Sequence, residues 1–100
     1  MSAQITPHDG SPLSREGIER RLRAEASDVH AWSNAPGDRY GQHQHPYTKV
    51  LYCASGSIAF VLSDGSTLDL RAGDRLVLPP GIRHGAVVGP DGCTCLEGRA

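Results

Sequence analysis

The sequence predicts an all-β protein, a sandwich or barrel of short strands preceded by one short α-helix. Three observations carry this reading. Short apolar or alternating runs recur from residue 29 onward, each run is closed by a cluster of Gly, Pro, Asp or Ser, and one stretch near the N-terminus has helical spacing. A chain of 100 residues makes one domain, and a domain this small buries a modest fraction of its surface alone. A second copy of the chain, forming a homodimer, is therefore an expected partner.

Residues 1–12 hold two prolines, a glycine and few apolar side chains, which cannot offset the entropy of ordering them. They are expected to form a flexible arm. Ser14 is a good helix N-cap, and the strong helix formers that follow put Ile18 and Leu22 on one face. This predicts a short amphipathic helix within 13–28, centred on 15–26 and packed on the outside of a barrel formed by residues 29–100. Arg15, Arg20, Arg21 and Arg23 are interleaved with Glu16, Glu19 and Glu25, so the charged side of that helix reads as a solvated face.

Val29 to Asn34 alternates weakly and stops at Ala35-Pro36-Gly37, giving a first strand on which Trp32 is expected in core or interface packing. Its apolar surface is where the second copy is expected to dock. Further strands are expected at 40–45, 48–54, 57–62, 67–70, 75–78, 82–88 and 93–97. Their separators are Ser55-Gly56, Asp64-Gly65, Ala72-Gly73, Pro79-Pro80-Gly81 and Gly89-Pro90-Asp91-Gly92, all built from turn residues. If the last of these closes a hairpin, Val88 faces Cys93, Ala86 faces Cys95 and His84 faces Glu97.

The formal charge is −1 with both signs interspersed, and nucleic-acid binding needs a basic face or stripe that is missing here. No basic start with an apolar run marks a signal peptide, and no apolar stretch is long enough to span a bilayer. The expected location is cytoplasmic, without membrane contact. Three cysteines, an odd number, suit a reducing compartment, and Cys93-x-Cys95 lacks the second pair of a structural zinc site. Cys53, Cys93 and Cys95 are read as small buried hydrophobes.

Two stretches carry the candidate chemistry. In the first, Gly37 to Gly56, His43 and His45 are one residue apart; on a strand they share a face and can reach one ion. The second, Gly73 to Val88, places His84 just after a Pro-Gly turn. Any one of these histidines alone is more often structural than a ligand. Together the two stretches resemble the paired motifs of the cupin superfamily. The pattern G-x-x-x-x-x-H-x-H-x-x-x-E-x-x-x-x-x-x-G is met at Gly37, His43, His45 and Gly56, with Lys49 in place of Glu. The pattern G-x-x-x-x-x-P-x-G-x-x-H-x-x-x-N is met at Gly73, Pro79, Gly81 and His84, with Val88 in place of Asn.

The resemblance implies a double-stranded β-helix, or jelly-roll barrel, with one divalent transition metal on His43, His45 and His84. Neutral imidazoles suit Zn, Fe, Ni, Mn or Cu and leave coordination positions open for a small-molecule substrate or ligand. Lys49 has no lone pair to offer while protonated and repels a cation. Four readings of it stay open: a neighbour of a three-His site, the mark of a lost metal, a neutral amine acting as base or Schiff-base nucleophile, or a lysine snorkelling to the rim. The hairpin register would turn Glu97 inward beside His84, as a partner for Lys49 or an acceptor for a histidine N–H. His8 and His30 lie outside the motifs and are expected to face solvent. The chain is thus read as a metal-binding protein, either a dioxygenase, isomerase or lyase on a small polar molecule, or a non-catalytic binding module in which Lys49 meets an anionic ligand. A regulator's sensor half is disfavoured because no helix-turn-helix follows the barrel.

Overall fold

In the computed structural model, which describes residues 2–10 and 14–100, the eight expected runs form six strands, the N-terminal arm adds a seventh, and the helical run forms a nine-residue helix. In chain order these are β1 (Gln4–Thr6), α1 (Arg15–Arg23), β2 (Ser27–Asn34), β3 (Arg39–His43), β4 (Lys49–Leu62), β5 (Thr67–Arg71), β6 (Arg75–Leu78) and β7 (His84–Arg99). All pairings are antiparallel and join one hydrogen-bonded sheet. The long strands β4 and β7 pair along their whole lengths and belong to both halves of it. Lys49–Ser55 of β4 and Thr94–Arg99 of β7 lie among β1, β6 and β2, whereas Ser57–Leu62 and His84–Val88 lie between β5 and β3.

The two halves close over a single core. Leu51, Cys53, Leu76, Leu78 and Cys95 from one half meet Ile58, Phe60, Leu70, Ala86 and Val88 from the other. This is the expected jelly-roll barrel with one short helix. The opposite face of β4 and β7 offers Val50, Tyr52 and Leu96, and Ile18 and Leu22 of α1 cover them from outside. Ser14 Oγ accepts the Gly17 N–H at 3.0 Å, and Arg20, Arg21 and Arg23 complement the negative end of the helix dipole. The helix stops at Arg23, short of the expected end at 26, because Ser27 already pairs with Arg99 in the sheet.

Two expectations are corrected. Part of the N-terminal arm is ordered, since Gln4–Thr6 pairs with Arg75–Val77 as an edge strand; residues 1 and 11–13 lie outside the described residues. His8 belongs to this strap. Its backbone N–H donates to Asp74 Oδ1 at 2.8 Å, and its ring lies so close to Gly73 that a Cβ there would meet Cγ at 2.3 Å.

The second correction is that Ser55-Gly56 and Gly89–Gly92 do not separate strands. They are the bends where β4 and β7 pass from one half of the sheet to the other, with register shifts between Cys53 and Ser55 and between Gly56 and Ile58. The hairpin is therefore absent, and His84 pairs with Leu62 and His43 while Glu97 pairs with Leu51 and His30. Glycine is required at this crossing: Gly56 has φ +70°, and a Cβ on it would lie 1.9 Å from the Gly92 carbonyl oxygen. Gly56→Ala should cost about 1–3 kcal/mol of stability, read as a lower denaturation midpoint. An unchanged midpoint would show that the two bends can separate freely.

The Trp32 ring is partly buried and packs against the core, one of the two places expected for it.

Candidate metal centre

The strand β3 ends at His43, so His45 lies in the loop beyond it rather than on the strand. Two contacts fix that loop. The Gly81 N–H donates to the His45 carbonyl at 2.9 Å, docking it on the Pro79–Gly81 turn. Tyr47 carries the Arg99 guanidinium over its ring, 4.1 Å from the centre, and lies at a tilt to the His45 ring, 5.0 Å between centres. His84 opens β7 directly across from His43. The ring centres are 4.9 Å apart for His43 and His45, 4.4 Å for His43 and His84, and 5.4 Å for His45 and His84.

Hydrogen bonding sets the tautomers. Nδ1 of His43 faces the Gly41 carbonyl at 2.9 Å, and Nδ1 of His84 faces the Ile82 carbonyl at 2.9 Å. A carbonyl only accepts, so in the neutral rings these nitrogens carry the protons and the Nε2 lone pairs are free. Nε2 of His45 and Nε2 of His84 are both buried without a hydrogen-bond partner. Orphaned buried polar atoms cost about 1–3 kcal/mol each, which a bound cation would offset. Among the described residues, these histidines are the one group of three or more His, Cys, Asp or Glu whose ligand atoms all lie within 4.8 Å of each other. The donor set fits a divalent transition metal.

Electrostatics favours the neutral forms of His45 and His84. Burial first, then the Lys49 charge and the other two rings, bring His45 down to about 4 against the opposing pull of Glu97. Burial also lowers His84, against the hydrogen bond to Ile82, which raises it. Between pH 6.5 and 4 the unfolded chain therefore binds a proton at position 45 that the folded chain refuses. This contribution to stability is complete above the unfolded value and is lost as pH falls toward 4. Metal-free wild type should lose more stability between pH 7 and pH 5 than His45→Gln. Equal losses in denaturation midpoint would contradict this.

Beside the rings lies a cavity of about 220 Å³. Trp32, Tyr40 and Phe60 form its apolar lining, and His43, His84, Lys49 and Glu97 its polar lining. Lys49 is 7% exposed and shares the inward row with Leu51 and Leu78. Its Nζ lies 3.3 Å from Glu97 Oε2, and Glu97 Oε1 accepts the Trp32 indole N–H at 2.6 Å. Lys49 and Glu97 thus meet, though by the pairing of β4 with β7 rather than by the expected hairpin. His30 is exposed, yet its Nε2 comes within 3.9 Å of Glu97 Oε2.

The three cysteines are free and buried in the core, where burial pushes the Cys93 thiol up. The roles of Trp32, Tyr40 and Phe60 were missed. Phe60 was within reach of the sequence, because it shares the inward parity of Ile58, but Trp32 and Tyr40 depend on registers that residue counting does not give.

Comparison with known proteins agrees with this geometry. Residues 26–97 match the cupin domain family. The chain belongs to the cupin family. Within it, this cupin is 40% identical over 50 residues to the polyketide synthase CurC of Streptomyces cyaneus, a match covering 49% of this chain and 32% of that protein. It therefore spans about a third of the length of that curated relative. A Klebsiella pneumoniae protein with a double-stranded β-helix domain is similar at 30% identity and a TM-score of 0.65, over 72% of this chain and 64% of that one. The polyketide cyclase RemF of Streptomyces resistomycificus is similar at 28% identity and a TM-score of 0.65, over 71% of this chain and 52% of that one. No helix among the described residues is long and apolar enough to cross a membrane.

Proposed function

We propose that this cupin is a metal-dependent enzyme that binds one divalent transition metal through His43, His45 and His84 and acts on an enolisable carbonyl compound by isomerisation or ring closure. The observation that carries the proposal is the convergence of three histidine rings with two buried, partnerless Nε2 atoms at the edge of a cavity. The likeness to a polyketide cyclase and a polyketide synthase supports the substrate class. A cavity of about 150 Å³ accepts benzene, so this one holds the reacting end of a polyketide rather than a whole chain.

A metal on these imidazoles would supply Lewis acidity toward a substrate oxygen. The chain's own residues do the rest. The carbonyls of Gly41 and Ile82 hold two rings in the tautomer that directs Nε2 toward the common centre. Trp32, Tyr40 and Phe60 bind the flat part of the substrate and exclude water from it. Lys49 presents its ammonium N–H groups beside the histidines. Turnover of linear polycarbonyl compounds by metal-loaded wild type, lost in His84→Ala, is the expected result. Binding without turnover would support a non-catalytic module instead, a reading favoured by Glu97 being held by Trp32 and Lys49 rather than free as a base.

We also propose a cytoplasmic location, which three unpaired thiols suit, and a homodimer, which the small size of the chain supports. Sedimentation at micromolar concentration should give twice the 10.7 kDa chain mass. A species of single-chain mass at every concentration would refute the dimer.

A further inference from the structure

We propose that the pocket selects a planar, anionic oxygenated ligand, an aryl or enol carboxylate of about ten non-hydrogen atoms, and that Lys49 is the residue that selects its charge. This deepens the reading of the pocket as a substrate site and rests on that reading for its location.

The ammonium of Lys49 has three N–H donors, and its side chain is 8% exposed. Among the described residues Glu97 Oε2 is the one carboxylate oxygen within ion-pair distance of Nζ. Glu97 is held in place, because its other oxygen accepts the Trp32 indole N–H. Lys49 lies in the lining of the cavity shared with His43 and His84, and among the described residues its remaining donors have no other acceptor. A buried ammonium so placed is satisfied by a ligand oxygen, and most strongly by a charged one.

The shape requirement comes from the rings: Trp32 and Tyr40 meet edge to face at 5.9 Å, and Phe60 lies 6.1 Å from His84. Flat ligands fit such a wall.

Trp32 is the sole tryptophan of the chain and lines the pocket, so its fluorescence reports binding directly. The test titrates benzoate and its neutral isostere benzamide into metal-free protein held in chelator. Wild type should bind benzoate roughly tenfold or more tighter than benzamide. Lys49→Arg should keep a preference for benzoate. The charge-balanced double variant Lys49→Met with Glu97→Gln, whose folding is checked by circular dichroism, should bind the two alike. Equal binding by wild type, no response to either probe, or a preference that survives in the double variant would overturn the proposal. Because no metal is present in this titration, a benzoate preference in a protein that later fails to take up metal would uphold Lys49 as the selector and refute the metal-enzyme reading alone.

Discussion

Replacing Glu97 by alanine should cost about 3–5 kcal/mol of folding stability, because it leaves the Lys49 ammonium buried without a counter-charge. Lys49 is 7% exposed and Glu97 9%, so water reaches neither side chain well enough to screen the pair. Glu97→Ala also strips the acceptor from the Trp32 indole. Lys49→Met alone should be costly for the mirror-image reason, a carboxylate left in a nearly dry site. The double variant Glu97→Ala with Lys49→Met should cost much less than the two single effects added, because neither charge then remains to be desolvated. Urea midpoints for the four proteins complete a double-mutant cycle. Additive effects would mean that the two side chains do not interact.

This pair also shows how far residue order reaches. Glu97 was expected to face inward through a hairpin, and the inward direction of Lys49 was legible from its place in the family pattern. The register that joins them was not. Gly89-Pro90-Asp91-Gly92 has the composition of a hairpin loop, and Ser55-Gly56 that of a turn, yet both are bends in continuous strands. Glycine with positive φ serves either purpose, and what decides between them is whether another backbone packs on the bend. Here Gly92 packs on Gly56, a contact between residues far apart in the chain. The parity argument gave the right neighbourhood for Glu97 through the wrong partner.

The histidines were legible for a different reason. Their spacing against the motif glycines and prolines ties them to a known arrangement, and that survives the local error that His45 lies beyond the end of β3. The loop is returned to the site by the Gly81 N–H to His45 carbonyl bond, which involves the motif's own turn glycine. Trp32 and Tyr40 had no such anchor. Their place in the pocket lining follows from the pairing of β2 and β3 with β7, which includes register shifts in both cases. The strap of residues 4–6 was hidden by its polarity, since an edge strand with alternating exposed residues resembles a disordered arm in composition.

The central claim is that His43, His45 and His84 form one metal site, and the loss of a single ring has a large effect if it is right. Three neutral nitrogens are the entire side-chain donor set among the described residues at this centre. Removing one leaves two, too few to compete with water and buffer for a divalent ion at micromolar concentration. The decisive measurement is elemental analysis of wild type and His45→Ala after metal is added back and excess is removed. The account predicts about one equivalent of divalent transition metal per wild-type chain and little or none in His45→Ala. Equal, substoichiometric metal in the two proteins would contradict it.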